Sequence, residues 1–291
     1  MGRTAVFLAL LAAFFAACSS IEPAVKIPHL PVQQPAAEIP ELPVMQPSIE
    51  IPELTVQLPL PVDEVIEEIP PSAAAPVKPP GDLYVYLTFD DGPSPHTERI
   101  LDVLAAHQVK GTFFFLGSEI LEYEDPSALF KRVLDEGHYI GLHSMTHLDN
   151  RLYRVPGAYQ NFYDEMRELQ SLIYELTGGF QTNLYRAPFG TRGSFTNSHV
   201  RKMTASDLKC WDWNVDSEDW RHTSAGAVLA KIKNDMHYVY PKTAVVLFHE
   251  RNVTVEVLPA VIEYFLELGY TFLSYNPDNH FSMNLLRHPG L

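Results

Sequence analysis

Two adjacent carboxylates and two histidines four residues apart are the groups in this chain best suited to chemistry. Asp90 and Asp91 directly follow the apolar stretch at residues 83–89, and His143 and His147 follow a second apolar run. Two imidazoles at this spacing can reach one metal ion from a single turn of chain. With one carboxylate they form a ligand set that leaves positions open for water and substrate, as metal-assisted hydrolysis requires.

The other reactive groups also stand at or just after predicted strands. Arg186 begins the segment RAPFG, Asp219 lies in DSEDW, and His249 ends LFH. The carboxyl ends of parallel strands meet at one face of an α/β sheet, so we expect these groups to gather there. Consecutive strand residues point to opposite sides, so Asp90 and Asp91 are expected to do different work.

These residues on their own leave other interpretations open. The two acids could belong to a solvated turn, and the two histidines could be structural. Asp90 and Asp91 could also be a glycosidase pair, which holds two carboxyl groups across the scissile bond. That hypothesis is weak, because neighbours in a strand face apart and only Asp219 could supply a convincing second acid.

Helix and strand patterns alternate from about residue 82 to the C-terminus. The predicted strands lie at residues 83–89, 111–116, 139–143, 184–186, 208–215, 243–248 and 270–273. Helical periodicity separates them, with Thr97 as the expected cap of the first helix. Repeated βα units of this kind predict a single α/β domain built on a parallel barrel or an open parallel sheet.

The segment before this domain has the composition of an extended linker. Residues 19–81 hold 15 of the 24 prolines and contain twelve-residue repeats that begin at Ile27, Ile39 and Ile51. Proline at this density disfavours helix and sheet and favours polyproline II. At about 3.1 Å per residue, such a disordered Pro-rich linker could reach on the order of 190 Å when stretched.

The N-terminus has the features of an export signal. A short basic start precedes an apolar run at residues 5–17, which is too short to cross a bilayer. The run ends in FAAC, which resembles a bacterial lipoprotein cleavage box with Cys18 as the lipidated residue; an ordinary secretory signal is the alternative. We therefore expect a signal peptide at 1–17, a lipidated linker at 18–81, a catalytic domain at 82–291, and an extracytoplasmic protein anchored to the bacterial cell membrane.

Charge and cysteine content exclude two classes of protein. The formal net charge is −15, so no basic surface is expected that could bind nucleic acid. Only Cys18 and Cys210 are present, which excludes a disulfide framework, and Cys210 is expected to be a buried core thiol. We expect a monomer.

Five segments carry a resemblance to a known family. TFDDGP, HSMTH, RAPFG, DSEDW and LFH occur in this order between residues 83 and 273. They resemble the motifs of the NodB-like polysaccharide deacetylases, carbohydrate esterase family four. The resemblance implies an α/β fold, a distorted (β/α) barrel with about seven parallel strands. It also implies one divalent metal ion, in the first place Zn²⁺, with Co²⁺, Ni²⁺ and Mn²⁺ as alternatives.

The resemblance also implies a role for each matching residue. The implied metal ligands are Asp91, His143 and His147. The implied catalytic residues are Asp90 as base, Arg186 as its brace, His249 as general acid and Asp219 as the group that orients it. The implied substrate contacts are the backbone N–H of Phe189 in the oxyanion hole and the side chains of Trp220 and Leu247 around the acetyl methyl group.

Two positions depart from the family pattern without removing a catalytic group. Glu250 stands where the family often has Asp, and Phe248 stands where it often has Leu. Seven further histidines are interpreted as surface or loop residues: His96, His107, His138, His222, His237, His280 and His288.

The expected activity is removal of N-acetyl groups from N-acetylglucosamine units of a cell-envelope glycan, above all peptidoglycan. Three alternatives remain open from the sequence. They are an O-acetyl esterase acting on acetylated xylan, a deacetylase of chitin oligosaccharides, and a non-catalytic anchored protein that binds the cell wall.

Overall fold

The computed structural model describes residues 83–239 and 242–291. The predicted signal peptide, Cys18 and the Pro-rich linker lie outside the described residues, as does the boundary at residue 82. None of the helices in the described residues combines the length and the hydrophobicity of a membrane-spanning segment.

The described residues form eight strands and seven α-helices, which alternate along the chain except that α3 follows α2 and β6 follows β5. The strands are β1 (Tyr84–Gly92), β2 (Gly111–Phe115), β3 (Tyr139–Leu142), β4 (Leu184–Tyr185), β5 (Lys209–Cys210), β6 (Val215–Asp216), β7 (Thr243–His249) and β8 (Thr271–Phe272). The helices are α1 (Thr97–Ala106), α2 (Gly117–Glu122), α3 (Pro126–Asp135), α4 (Ala158–Thr177), α5 (Asn197–Thr204), α6 (Ala225–Val239) and α7 (Asn252–Glu267). A π-helical turn (Asn150–Arg154) and a 3-10 turn (Pro277–Asn279) complete the set.

The sheet is parallel throughout and has β1 at its centre. Seven strands follow the order β5-β4-β3-β2-β1-β7-β6, and β8 pairs with the first residues of β1. The two outermost strands of this order, β5 and β6, do not pair with each other among the described strands, so the sheet is a curled half-barrel. This confirms the prediction of a distorted barrel with about seven parallel strands.

The central strand is apolar because its side chains are covered on both faces. Val85, Leu87 and Phe89 are fully buried on one face of the strand, and Thr88 is fully buried on the other. The ring of Phe89 stacks on Phe113 of β2 at 4.9 Å and on Phe248 of β7 at 5.8 Å between ring centres. Three adjacent strands are therefore joined by aromatic packing directly behind the carboxyl end of β1, which gives the acids that follow a rigid support.

Two predictions about local structure are wrong. The strand predicted at residues 208–215 is split into β5 and β6. The chain between them leaves the sheet pairing and bonds to the C-terminal segment, where the Asp212 N–H donates to Met283 O at 2.6 Å. Thr97 is not the cap of α1; that position is His96, whose side chain makes no cap hydrogen bond. The Thr97 hydroxyl oxygen instead accepts from the Ser94 N–H at 2.8 Å, and its proton goes to Ser94 O or Glu250.

The interpretation of His138 as a surface residue is also wrong. Its side chain is buried just before β3 and packs edge-on against Phe113. Its Nδ1 atom accepts a hydrogen bond of 2.9 Å from the Gly111 N–H. His138 thus satisfies the first backbone group of β2 and has a structural role. The prediction that Cys210 is a buried free thiol is confirmed.

Candidate active site

The end of β1 places the side chains of Asp90 and Asp91 in the same cleft. Asp91 has a φ of 67°, and the pairing of β1 with β2 shifts by one residue between Asp90 and Gly92. This bulge breaks the alternation of the strand. Both carboxylates line the same cleft of about 500 Å³. The expectation that Asp90 and Asp91 point to opposite sides is therefore wrong, because the left-handed backbone of Asp91 rotates its side chain back toward that of Asp90.

The structure brings the three predicted metal ligands together. Asp91 Oδ1 lies 3.3 Å from His143 Nε2 and 3.5 Å from His147 Nε2, and all three ligand atoms lie within 4.8 Å of one another. His143 Nδ1 lies 3.0 Å from the carbonyl oxygen of Arg186. That carbonyl can only accept, so Nδ1 carries the proton and Nε2 presents its lone pair to the cleft.

The surroundings of these ligands fit a cation. Asp91 Oδ1 is buried and has no hydrogen-bond partner, which is costly for a carboxylate oxygen unless an ion binds it. Burial alone would raise the pKa of Asp91, but the nearby imidazoles of His143, His147 and His249 outweigh it and lower that pKa. Two imidazoles and a carboxylate are suitable donors for a zinc-like ion.

Asp90 is held by a fully buried guanidinium. Arg186 Nη1 donates to Asp90 Oδ1 at 2.8 Å and to Thr88 Oγ1 at 2.7 Å. The remaining donors reach the carbonyl oxygens of Trp211 and Asp212, each at 2.9 Å. Because the guanidinium is fixed on all these sides, it can stabilise the negative charge of Asp90 and hold its free oxygen in place.

His249 forms a second charged pair with Asp219. Asp219 Oδ1 lies 2.8 Å from His249 Nδ1, and its other oxygen accepts from the His249 N–H at 2.7 Å and from Thr254 Oγ1 at 2.6 Å. Burial alone would lower the pKa of His249, but the bond to Asp219 and the charges of Asp219, Asp90 and Asp91 raise it to about 9. His249 Nε2, which lies 4.0 Å from Asp91 Oδ2, is therefore protonated and available at neutral pH.

Three predicted substrate contacts surround this constellation. Phe189 and Trp220 each expose 53% of their surface, while Leu247 is nearly buried, and all three line the cleft. Phe189 has a φ of 65°, and the turn is closed by the Gly190 N–H, which donates to Ala187 O at 2.8 Å. The Phe189 N–H has no acceptor among the described residues and remains free for a ligand.

The cleft also contains residues that the sequence analysis did not assign to the site. Trp213, Asp216 and Arg251 line it together with the predicted groups. Asp216 is the first residue of the DSEDW segment, three residues before Asp219, and this position could have identified it as a residue of the site. Trp213 and Arg251 lie outside the five segments, and no pattern of spacing marked them.

The side chain of Glu250 binds the turn that follows β1. Its side chain is buried, and Oε2 accepts from the Ser94 N–H at 3.0 Å and from the Thr97 hydroxyl, whereas Oε1 has no partner. Burial, with a smaller contribution from the charge of Asp91, raises the pKa of Glu250 to about 7 against the effect of these hydrogen bonds. The departure from the family pattern at this position thus places behind the end of β1 an acid that still holds a proton well above the usual pKa of a glutamate.

Comparison with known proteins gives consistent matches over the described domain. The family described as Polysaccharide deacetylase matches residues 78–208. The peptidoglycan-N-acetylglucosamine deacetylase of Bacillus cereus (strain ATCC 14579) is 37% identical over 203 residues, which are 68% of this chain and 71% of that protein.

Two solved structures share the fold. The polysaccharide deacetylase Bc1974 from Bacillus cereus superposes with a TM-score of 0.65 and 33% identity, covering 72% of this chain and all of that one (100%). The catalytic domain of peptidoglycan N-acetylglucosamine deacetylase from Eubacterium rectale ATCC 33656 gives a TM-score of 0.61 and 29% identity, covering 75% of this chain and 100% of that chain.

Proposed function

The chain belongs to the polysaccharide deacetylase family, and from that membership we propose that it removes N-acetyl groups from N-acetylglucosamine units of a cell-envelope glycan, in the first place peptidoglycan. The observation that carries this proposal is the meeting of a candidate metal site with the Asp90–Arg186 and His249–Asp219 pairs in one cleft. Support for peptidoglycan comes from the relatives named as peptidoglycan N-acetylglucosamine deacetylases.

The family is metal-dependent, and the candidate site fits a divalent ion. We propose Zn²⁺, held by Asp91, His143 and His147, with Co²⁺, Ni²⁺ and Mn²⁺ as alternatives. Bound there, the ion would act as a Lewis acid toward the acetyl carbonyl and lower the pKa of water.

The protein's own groups then have separate tasks. Asp90, held by Arg186, accepts the proton of the attacking water, and the Phe189 N–H donates to the carbonyl oxygen as negative charge develops. The Nε2 proton of His249 passes to the leaving amine, and Asp219 keeps the imidazole oriented for this transfer. The products are acetate and a free amine. Trp220 and Leu247 are placed to enclose the acetyl methyl group.

The position in the cell is part of the same proposal. We propose that residues 1–17 are removed, that Cys18 carries the lipid anchor, and that residues 18–81 extend the catalytic domain at 82–291 from the bacterial cell membrane. The apolar run, the FAAC segment and the proline repeats support this arrangement. An anchored enzyme acts on its own envelope, which favours peptidoglycan over a plant polymer. We propose that the protein is a monomer.

One panel of substrates tests the proposed activity. The domain at 82–291, loaded with Zn²⁺, is incubated with peptidoglycan, chitin oligomers and acetylated xylan, and released amines and acetate are measured. We expect free amines from peptidoglycan. Acetate from xylan alone would identify an esterase, and amines from chitin oligomers alone would identify a chitin oligosaccharide deacetylase. No product from any substrate would support the non-catalytic alternative.

A further inference from the structure

We propose that two buried carboxylates outside the predicted site, Glu165 and Asp212, are positioning residues that each hold one loop of the cleft. Glu165 holds residues 143–147, which carry two metal ligands, and Asp212 holds residues 187–191, which carry the oxyanion donor. Both side chains are almost completely buried, with exposed fractions of 1% and 0%. The assignment of the second loop rests on the proposed function, whereas the contacts themselves do not.

Glu165 projects from α4 and accepts hydrogen bonds from the loop between the two histidines. Its Oε2 atom accepts from the Met145 N–H at 3.1 Å and from the Thr146 N–H at 3.0 Å. The Thr146 hydroxyl lies 3.1 and 3.0 Å from its two oxygens, and Arg151 Nε pairs with Oε1. One carboxylate therefore satisfies two backbone donors and a hydroxyl, while Arg151 balances its charge.

The loop needs this support because its backbone is unusual. Ser144 and His147 both have positive φ values, 74° and 53°. Such conformations cost free energy in residues other than glycine and persist only where surrounding bonds determine them. The N–H groups of Met145 and Thr146 both donate to Glu165, the His147 N–H donates to Ser144 Oγ at 3.0 Å, and the Met145 carbonyl oxygen accepts from the Ser118 N–H at 2.8 Å. Glu165 thus fixes the backbone that separates His143 from His147.

Asp212 holds the second loop, residues 187–191, by hydrogen bonds of the same kind. Its Oδ2 atom accepts from the Thr191 N–H at 3.3 Å, from the Thr191 hydroxyl, and from the Leu285 N–H at 2.8 Å. Its backbone carbonyl accepts from Arg186, the same guanidinium that holds Asp90. Asp212 therefore joins the end of the loop to the Asp90–Arg186 pair and to the C-terminal segment.

This loop also contains strained backbone that needs an outside anchor. Phe189 has a φ of 65°, which is unfavourable for a residue other than glycine, whereas Gly190 adopts its φ of 75° without strain. On the other side of the turn, the Tyr153 hydroxyl donates to Pro188 O at 2.9 Å. The direction of the Phe189 N–H is thus determined between two anchors, Tyr153 and Asp212. A shift of about 1 Å in a group that contacts the reacting atoms can cost on the order of 100-fold in rate.

The two anchors act on different loops, which makes their roles separable. Among the hydrogen bonds of the described residues, those of the Glu165 side chain reach residues 145, 146 and 151, and those of the Asp212 side chain reach residues 191 and 285. A merely structural role for either residue would destabilise the whole domain and loosen both loops together. A positioning role loosens one loop and leaves the other unchanged.

The experiment compares substitutions at the two sites by three measurements. The variants are Glu165→Ala, Glu165→Gln, Asp212→Ala and Thr191→Val, and the controls are Glu168→Gln, an exposed acid on the same helix, and Asp278→Asn, an exposed acid near the C-terminus. Hydrogen exchange reports each loop directly. Zn²⁺ dissociation constants of the metal-free proteins report the ligand loop. Turnover of an aryl acetate at saturating Zn²⁺ reports the oxyanion loop without depending on the glycan.

We expect opposite patterns from the two sites. Glu165→Ala should raise exchange at residues 144–147 alone and weaken Zn²⁺ binding by about 10- to 100-fold, as loss of partners behind metal ligands does. Glu165→Gln, which keeps one accepting oxygen, should fall between this variant and wild type. Asp212→Ala should raise exchange at the hydrogen-bonded amides of Gly190 and Thr191 alone and lower turnover by up to about 100-fold at unchanged Zn²⁺ affinity. Thr191→Val should do the same more weakly.

The outcomes that overturn the proposal are distinct. Equal loosening of both loops in the alanine variants, or in Glu165→Gln and Thr191→Val if the alanine variants do not fold, would show a structural role only. Unchanged exchange in every variant would show that neither carboxylate holds its loop. Failure of wild type to act on any glycan would overturn the proposed function but not these contacts, because exchange and metal affinity need no glycan.

Discussion

Asp91 shows how one backbone angle changes the use of two acids. In a regular strand, Asp90 and Asp91 would face apart, but a φ of 67° at Asp91 brings both into one cleft. The imidazole of His143 lies close to both carboxylates: its Nε2 is 3.3 Å from Asp91 Oδ1 and 3.8 Å from Asp90 Oδ2. The argument against a glycosidase pair, that neighbouring acids in a strand face apart, therefore no longer holds. The two imidazoles and the guanidinium around these acids nevertheless favour the metal-dependent reaction.

The metal assignment predicts a loss of bound ion. The double substitution His143→Ala, His147→Ala removes two of three donors, and a single carboxylate at 38% side-chain exposure cannot retain a transition metal at micromolar concentration. We expect elemental analysis of the domain at 82–291 to find about one Zn²⁺ per chain in wild type and none in the variant. His107→Ala is the control. Equal metal content in the wild type and the double variant would contradict the assignment.

The role of Asp90 predicts a defect in chemistry without a defect in metal binding. Asp90→Asn keeps the shape of the side chain and one acceptor for Arg186, but removes the basic oxygen. We expect turnover to fall by about two to four orders of magnitude at unchanged Zn²⁺ content, the usual contribution of a general base. Turnover and metal content are measured on the same sample. Turnover near that of wild type would show that another group takes the proton.

The pair formed by His249 and Asp219 predicts a change in pH dependence. Asp219 raises the pKa of His249, so His249 is protonated up to about pH 9 and can act as an acid below it. Asp219→Asn removes the negative charge, lowers the pKa of His249, and should move the alkaline limb of kcat/KM to lower pH. Profiles are recorded for both proteins at saturating Zn²⁺. An alkaline limb at the same pH in both would show that it reports another group.

The connection between β1 and α1 depends on a buried acid that follows β7. Glu250 comes directly after His249 and holds the Ser94 N–H and the Thr97 hydroxyl, while a side chain at Gly92 would collide with it, its Cβ lying 2.0 Å from Glu250 Oε1. The turn after the two catalytic acids is therefore tied to the strand that carries the general acid. This arrangement explains why Thr97 faces inward and does not cap α1.

The raised pKa of Glu250 predicts a pH-dependent stability. The folded-state pKa of about 7 lies above the unfolded value of 4.5, so the folded protein holds the proton more tightly. Between these values the folded state binds more protons than the unfolded chain, and the free energy of unfolding falls as pH rises through this window. Glu250→Gln cannot titrate, so its stability relative to wild type should increase between about pH 5 and pH 8.

Urea unfolding of the metal-free domain at both pH values measures this difference. Glu263→Gln, an exposed acid on α7, is the control and should follow wild type. If wild type and Glu250→Gln changed in parallel over this range, Glu250 would not be protonated in the folded state near neutral pH.

The whole protein combines a catalytic domain with a proposed anchor and linker. The core of the described domain is formed by one parallel sheet and the helices that cover it. In the proposed arrangement, the length of the linker limits how far the cleft can reach from the membrane. We therefore expect substitutions in the cleft to change activity without changing location, and substitutions at the proposed anchor to do the reverse.

The proposed anchor predicts the location of the protein. Cys18→Ser removes the thiol that would carry the lipid, and we expect the protein to move from the membrane fraction to the soluble extracytoplasmic fraction. Cys210→Ala, at the buried thiol, is the control and should stay in the membrane fraction. Cell fractionation followed by immunoblotting measures the distribution. A Cys18→Ser variant that still required detergent would indicate an uncleaved signal.

Local sequence patterns were sufficient to predict most strands, their parallel arrangement and the residues of the candidate site, and the resemblance of five segments to a known family supplied the role of each residue. Apolar runs that end in reactive residues are local patterns, and the rule that carboxyl ends of parallel strands gather at one face converts them into a site. Asp90, Asp91, His143 and His147, together with the groups at Arg186 and Asp219, follow from these patterns. Short strands such as β5 and β6 carry too few residues to show a period, so the patterns do not reveal their division.

Long-range packing, in contrast, determines how these residues are held. The bulge at Asp91, the burial of Glu250, and the contacts of Glu165 and Asp212 depend on partners far along the chain, with Asp212 accepting from Thr191 and from Leu285. A buried carboxylate has no sequence signature, because the same residue on a helix surface would be solvated. Its role follows from which unsatisfied backbone donors the fold places beside it, and these donors are defined once the elements have packed.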